Sequence, residues 1–344
     1  MHRRTLLQTL AAAPLLPLPA HAGAAARSFD VITRVTLLDS PGPAQLWLPL
    51  AQAAGQYQEA ADPRHQGTGR SEVVQDARYG APMLRTIWQG GEAAQTVEVA
   101  QRVTVQDRTG PDAAPLPDAE RHFWTAATES TPTGGIVRET AERIMAGRTE
   151  PRARLRALYD WVVDTTWRNP ETPGCGTGDI AAMLENNQFG GKCADINGLM
   201  VALARAAGFP ARDVYGVRVA DSRLFACLGK SGDLSRAQHC RAEAYLDGAG
   251  WFPLDPADVR KVVLEQKLAL DSPEVRAVRE RLFGAWEMNW IGYNSATDVD
   301  LPGAAGQRPN FAFLMYPCAF TVTGQPNCLD PSSFRYEITA REVA

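Results

Sequence analysis

The chain of 344 residues is 45% hydrophobic and 22% charged, a globular composition with ample apolar material for a core, and it is longer than one ordinary domain needs. Its 35 basic and 39 acidic side chains leave a net charge of −4 with no basic run, so nothing in the charge balance calls for a nucleic-acid partner.

The chain opens on His2-Arg3-Arg4, an uncharged run over residues 5–19, and Ala20-His21-Ala22, which puts small residues where a signal peptidase reads them. The run is shorter than the roughly 20 residues of a spanning helix. Residues 1–22 are therefore expected to be a signal peptide. The paired arginines suggest a twin-arginine export signal without its full pattern, and a general secretory signal stays open. The mature protein is expected in the periplasm or secreted, with no membrane span. In an oxidising compartment its six cysteines are disulfide candidates: Cys318 with Cys328 first, and Cys175, Cys227 and Cys240 for a second bridge.

Residues 27–110 read as short strands bounded by Gly and Pro, including 30–37, 44–49, 83–88 and 95–105, the last alternating valines at 97, 99, 103 and 105. A small antiparallel β domain is the expectation. The polar, Pro-containing stretch 107–119 reads as a linker. Helices are predicted from Ile136 to Ala146 and from Pro151 to about Thr165, the second capped by Thr149-Glu150-Pro151. Another opens at Cys193, with Ile196, Leu199, Met200, Leu203 and Ala207 at helical spacing, and ends at Gly208 and Pro210. A strand over 212–219 follows, then a hairpin of 239–246 and 251–255 around Asp247-Gly248-Ala249-Gly250. Residues 262–283 are predicted helical, and short strands return near Trp286, Trp290 and 333–338.

Gly190-Gly191-Lys192-Cys193 places a cysteine where a Gly loop turns into a helix. Free N–H groups there favour the thiolate and can stabilise an oxyanion. Such a nucleophile needs an imidazole base and a carboxylate to orient it. Beyond residue 22 only His65, His122 and His239 remain. The first lies in a polar loop and the second among aromatic residues. His239 begins one hairpin strand and Asp255 ends the other, so the hairpin brings them to one end. Asn187 and Gln188, just before the glycines, are candidate oxyanion donors. Cys193, Cys240, His239 and Asp255 lack the closely spaced ligand pairs of a zinc site, so no metal is expected.

Gly191-Lys192-Cys193-Ala194-Asp195 with its apolar helix and Ala206-Ala207-Gly208-Phe209-Pro210-Ala211-Arg212 resembles the nucleophile helix of bacterial transglutaminase-like proteins. The stretch from His239 to Leu246, followed by Gly250-Trp251-Phe252-Pro253-Leu254-Asp255-Pro256, resembles their His and Asp strands in order and spacing. The resemblance implies an α+β fold: a papain-like transglutaminase core over 120–262, preceded by the β domain of 27–110 and followed by a helix and strand-rich extension over 263–344. It implies Cys193 as nucleophile, His239 as general base and acid, Asp255 as orienting carboxylate, a peptide or protein substrate and no cofactor. Two departures stand out: Cys240 and Arg241 fill the stretch after the histidine where many members carry an aromatic residue, and Ala194 follows the cysteine where eukaryotic transglutaminases carry Trp. The family includes proteases, amidases and crosslinking enzymes. Hydrolysis of a peptide or amide bond is the favoured reading, with a non-catalytic exported binding or scaffold protein as the alternative.

Overall fold

A computed structural model describes residues 25–38, 42–92, 94–331 and 334–343; the expected signal peptide lies outside the described residues. The first part is all strand: β1 (Arg27–Leu37), β2 (Ala44–Pro49), β3 (Gln58–Ala60), β4 (Arg64–Gly67), β5 (Arg70–Gln75), β6 (Pro82–Trp88), β7 (Gln95–Val105) and β8 (Arg108–Thr109). Helices follow: α1 (Asp118–Thr125), α2 (Gly135–Met145) and α3 (Pro151–Thr165). Then come β9 (Trp167–Arg168), α4 (Ile180–Glu185), β10 (Gly190–Gly191), α5 (Cys193–Ala206) and β11 (Ala211–Arg218). The chain continues as β12 (Gln238–Leu246), β13 (Gly250–Leu254), α6 (Pro256–Glu265) and α7 (Pro273–Arg281), and closes with β14 (Ala285–Trp286), β15 (Trp290–Asn294), β16 (Cys318–Thr321) and β17 (Tyr336–Val343).

Two antiparallel sheets form the strand-rich part, ordered β17-β1-β7-β3, with β4 also on β7, and β16-β2-β6-β5. The alternation read from sequence decides which face goes inward: Val97, Val99, Val103 and Val105 of β7 are all buried, as are Phe29, Val31, Val35 and Leu37 of β1. The outer strand on each path comes from the far end of the chain. β17 pairs with β1 from Ser28↔Val343 to Val35↔Tyr336, and β16 pairs with β2.

The second layer is a sheet ordered β13-β12-β11-β15 with helices packed on it. Its central helix is α5, buried along its whole length. A helix rich in Ala, Leu, Val and Met on every side has no polar face to give to water, so it belongs in the middle. Helix α3 starts as expected, with the Glu150 carboxylate accepting from the N–H groups of Arg152 and Ala153 and Pro151 in the first turn. Helix α5 ends as expected at Gly208, at φ +88°.

Several expectations need correcting. Residues 262–283 are not one helix. Lys267 adopts φ +53°, and Ser272 caps a new helix at Pro273 by accepting from the Val275 N–H at 3.3 Å. The stretch 107–119, read as a linker, carries contacts of its own: β8 pairs with β14, Asp112 bridges Trp251, and the buried Arg108 guanidinium pairs with Glu243 under the Trp286 ring. His65 sits in strand β4, not in a loop. All six cysteines are free thiols, so the bridge expected between Cys318 and Cys328 is not formed. Among the described residues no helix is long and apolar enough to cross a membrane.

Candidate active site

Cys193 is the first residue of α5, at the buried centre of the second layer. A loop is strapped across this helix start. The Ala194 N–H donates to the Cys175 carbonyl at 2.8 Å. The Asp195 carboxylate accepts from the N–H groups of Thr177, Gly178 and Lys192 at 3.1, 2.9 and 2.8 Å. Two glycines make room for that carboxylate: a Cβ at Gly176, itself at φ +93°, would fall 1.9 Å from Asp195 Oδ2, and one at Gly191 would fall 2.5 Å from Asp195 Cβ. The Cys193 N–H has no acceptor among the described residues and is free to donate to an oxyanion.

His239 comes from β12. The hairpin register sets Leu254 opposite Ala242, so Asp255, the next residue, falls across from Arg241 and one diagonal step from His239. His239 Nε2 lies 2.8 Å from Asp255 Oδ2. Asp255 does not end the strand; it caps α6, its Oδ1 accepting from the Asp258 N–H at 3.1 Å and from Asn197 Nδ2 at 3.2 Å. With Nε2 committed to the carboxylate, the other ring nitrogen remains for the thiol, and Cys193 and His239 line one cavity.

The thiol's environment favours its ionised form. Burial by itself pushes the Cys193 pKa up, but hydrogen bonds with Cys175, Cys240 and His239 and the imidazolium charge outweigh it and hold the thiol well below its ordinary value. For His239, burial and the Arg218 charge push down, while the Asp258 and Asp255 carboxylates push up and prevail. The Cys175 thiol is held well above its ordinary value by its hydrogen bond with Cys193 and by burial. Cys240 is raised by burial and by the same thiol. Both neighbours thus stay protonated, and the Cys175 thiol donates to the Gln238 carbonyl at 3.3 Å.

The three expected triad residues come together; Asn187 and Gln188 do not. Both are exposed, neither lines the cavity that Cys193 and His239 share, and Gln188 lines another one together with Asp195. Several contributors were missed from sequence. Asn197, one helical turn beyond Cys193, donates to the Cys240 carbonyl at 2.8 Å as well as to Asp255. Its spacing of four from the cysteine was the one available signal. Arg241, in the stretch where many members of the family carry an aromatic residue, brings its guanidinium 3.6 Å from Asp255 and lies 4.7 Å over the Trp290 ring. Trp290 in turn donates from Nε1 to the His239 carbonyl at 2.8 Å. The aromatic support comes from another strand. His239, Asp255 and Asp258 put ligand atoms within 4.8 Å of one another. That set does not suit a cation: Asp258 is bound to Arg218 at 2.6 Å, and Arg241 stands beside Asp255.

A family profile described as the transglutaminase-like superfamily matches residues 138–256, the stretch from α2 to the start of α6 that holds all three residues. An uncharacterized protein of Haemophilus influenzae is 34% identical over 328 residues, 88% of each chain. The chain belongs to the transglutaminase-like superfamily. This superfamily member is similar in fold to a candidate cysteine protease from Cytophaga hutchinsonii, with a TM-score of 0.52 and 15% identity over 92% of this chain and 99% of that one. A more distant likeness, with a TM-score of 0.37 and 16% identity over 69% of this chain and 90% of the other, is to the periplasmic domain of TgpA from Pseudomonas aeruginosa.

Proposed function

We propose that this chain is an exported cysteine enzyme of the transglutaminase-like superfamily that hydrolyses a peptide or amide bond through Cys193, His239 and Asp255. The observation that carries the reading is the grouping of a thiol at a helix start and, on the wall of the same cavity, an imidazole whose Nε2 lies 2.8 Å from a fully buried carboxylate. The Cys193 thiolate attacks the carbonyl carbon, and the oxyanion accepts from the Cys193 N–H. His239 protonates the departing nitrogen as the C–N bond breaks. Water then gives a proton to His239 and attacks the thioester, and the C–S bond breaks to release the acid and regenerate the thiolate. Export rests on the sequence of residues 1–22.

The lowered thiol and raised imidazole give a definite pH dependence. A thiolate–imidazolium pair persists below the ordinary thiol range, is lost in acid as the thiolate takes a proton, and is lost in base as His239 gives one up. Iodoacetamide should therefore alkylate Cys193 quickly near neutral pH. In His239→Ala that rate should fall by about tenfold or more, recovering only as pH rises toward the free-thiol value of about 8.5. A Cys193 that stays inert at every pH, or that is recovered in a disulfide, would sink the catalytic reading in favour of a binding or scaffold protein. Excess crosslink over free acid from a glutamine peptide with a lysine donor would replace hydrolysis by transfer to an amine.

A further inference from the structure

Cys193 and His239 line a cavity of about 280 Å³, at the small end of ligand sites. The charge on its wall is of one sign. Arg168, Lys192, Lys230, Arg236 and Lys261 line it together with Arg218, and no Asp or Glu does. The whole chain carries a net charge of −4, so this bias does not come from composition.

Some of the wall is already neutralised. Arg218 is tied to Asp258 at 2.6 Å, and the exposed Arg236 reaches Asp330 at 3.7 Å. Arg168, Lys192, Lys230 and Lys261 have no ion pair among the described residues. They arrive from β9, from the residue capping α5, from the loop before β12, and from α6. Four separate elements converge, so the wall is not the charged face of a single helix. Lys261 is partly buried, and burial and the Arg218 charge push its pKa down. An arriving anion would relieve that cost. In a recessed cleft such charges focus their field on what enters.

We propose that the cleft selects acidic substrates: peptides or amides with one or more carboxylates close to the scissile bond. The word substrate rests on the catalytic reading above; the preference for anions rests on the wall itself.

The test is titration calorimetry of the full mature chain carrying Cys193→Ala, with the wild type beside it to guard against a misfolded variant. The two probes are acetylated, amidated Ala-Glu-Ala-Glu and its Gln counterpart. The expected result is binding of the Glu peptide about tenfold or more tighter at low salt, with the gap shrinking as salt screens the wall. The gap should also collapse in the double variant Arg168→Gln/Lys230→Gln, neither of which touches the triad. Equal binding of the two peptides, no binding of either, or a gap the double variant leaves intact overturns the proposal. So does tighter binding of a single-stranded oligonucleotide or of phosphatidylglycerol vesicles than of the Glu peptide. The alkylation experiment fails separately: an inert Cys193 with selective Glu binding removes the catalysis and leaves an acidic-peptide cleft.

Discussion

Asn197 shows how much of this site depends on one uncharged side chain. It is fully buried and joins three elements: Nδ2 donates to the Cys240 carbonyl of β12 and to Asp255, and Oδ1 accepts from the Ala257 N–H of α6 at 3.2 Å. Asn197→Ala removes a partner from each of these buried groups and leaves the Ala257 N–H with none among the described residues, at about 1–3 kcal/mol for a buried group left unsatisfied. The expected outcome is a clear fall in the melting temperature together with slower alkylation of Cys193 near neutral pH, because Asp255 loses a donor that fixes its orientation. Unchanged melting and unchanged alkylation would show that the asparagine only fills space. At this scale the sequence was informative where residues are scarce. Few histidines and one hairpin spacing pick out His239 and Asp255. Arg218, Arg241 and Asp258 carry no such signal, since each acts across strands or between helix and strand and looks like an ordinary surface charge in one dimension.

At the scale of elements, the start of α5 is held by a loop, and the loop is held by Asp195. Its carboxylate gathers three N–H groups from two segments, and Gly176 and Gly191 are glycines because a side chain at either would strike it. Asp195→Ala should therefore release the segment around Cys175. Hydrogen exchange at the Thr177, Gly178 and Lys192 amides should rise by about tenfold or more, as expected when local opening becomes cheaper by about 1.4 kcal/mol or more. Exchange that stays as slow as in the wild type would show that the loop is held by its backbone alone. Helix starts and stops were legible here because caps are local chemistry: Glu150 with Pro151, and Gly208. The break after α6 was missed although Ser272-Pro273 announced it, because the hydrophobic period carries across a seven-residue gap and hides the stop.

For the whole molecule, the first and last described strands lie side by side in one sheet. β17 pairs with β1, and it also reaches the second layer: Leu234 donates to the Ile338 carbonyl at 2.8 Å, and the Ile338 N–H donates to Ser235 Oγ at 3.0 Å, in the segment leading into His239. Tyr336, its first residue, lines the cleft beside Cys193. A chain cut after Arg335 should lose this edge and loosen the His239 segment together. The full mature chain should melt in one calorimetric transition, with the truncated form melting lower or failing to fold. Two separate transitions in the intact protein would contradict the coupling.

The resemblance to a known family supplied the α+β class and the grouping of Cys193 with His239 and Asp255; the sequence by itself determined the alternating strands of the first part, the helix that opens at Cys193 and the hairpin that joins His239 to Asp255. These follow from local periodicity, capping and short-range spacing, which one dimension records. Only the tertiary structure decided that β16 and β17 complete the first two sheets, that Asn187 and Gln188 lie outside the cavity Cys193 and His239 share, that Arg241 packs over Trp290, and that four distant basic side chains face one cleft. Each of these is a contact between segments far apart in the chain, and which distant segments meet is settled by how the layers bury their apolar faces, not by any residue's neighbours in sequence.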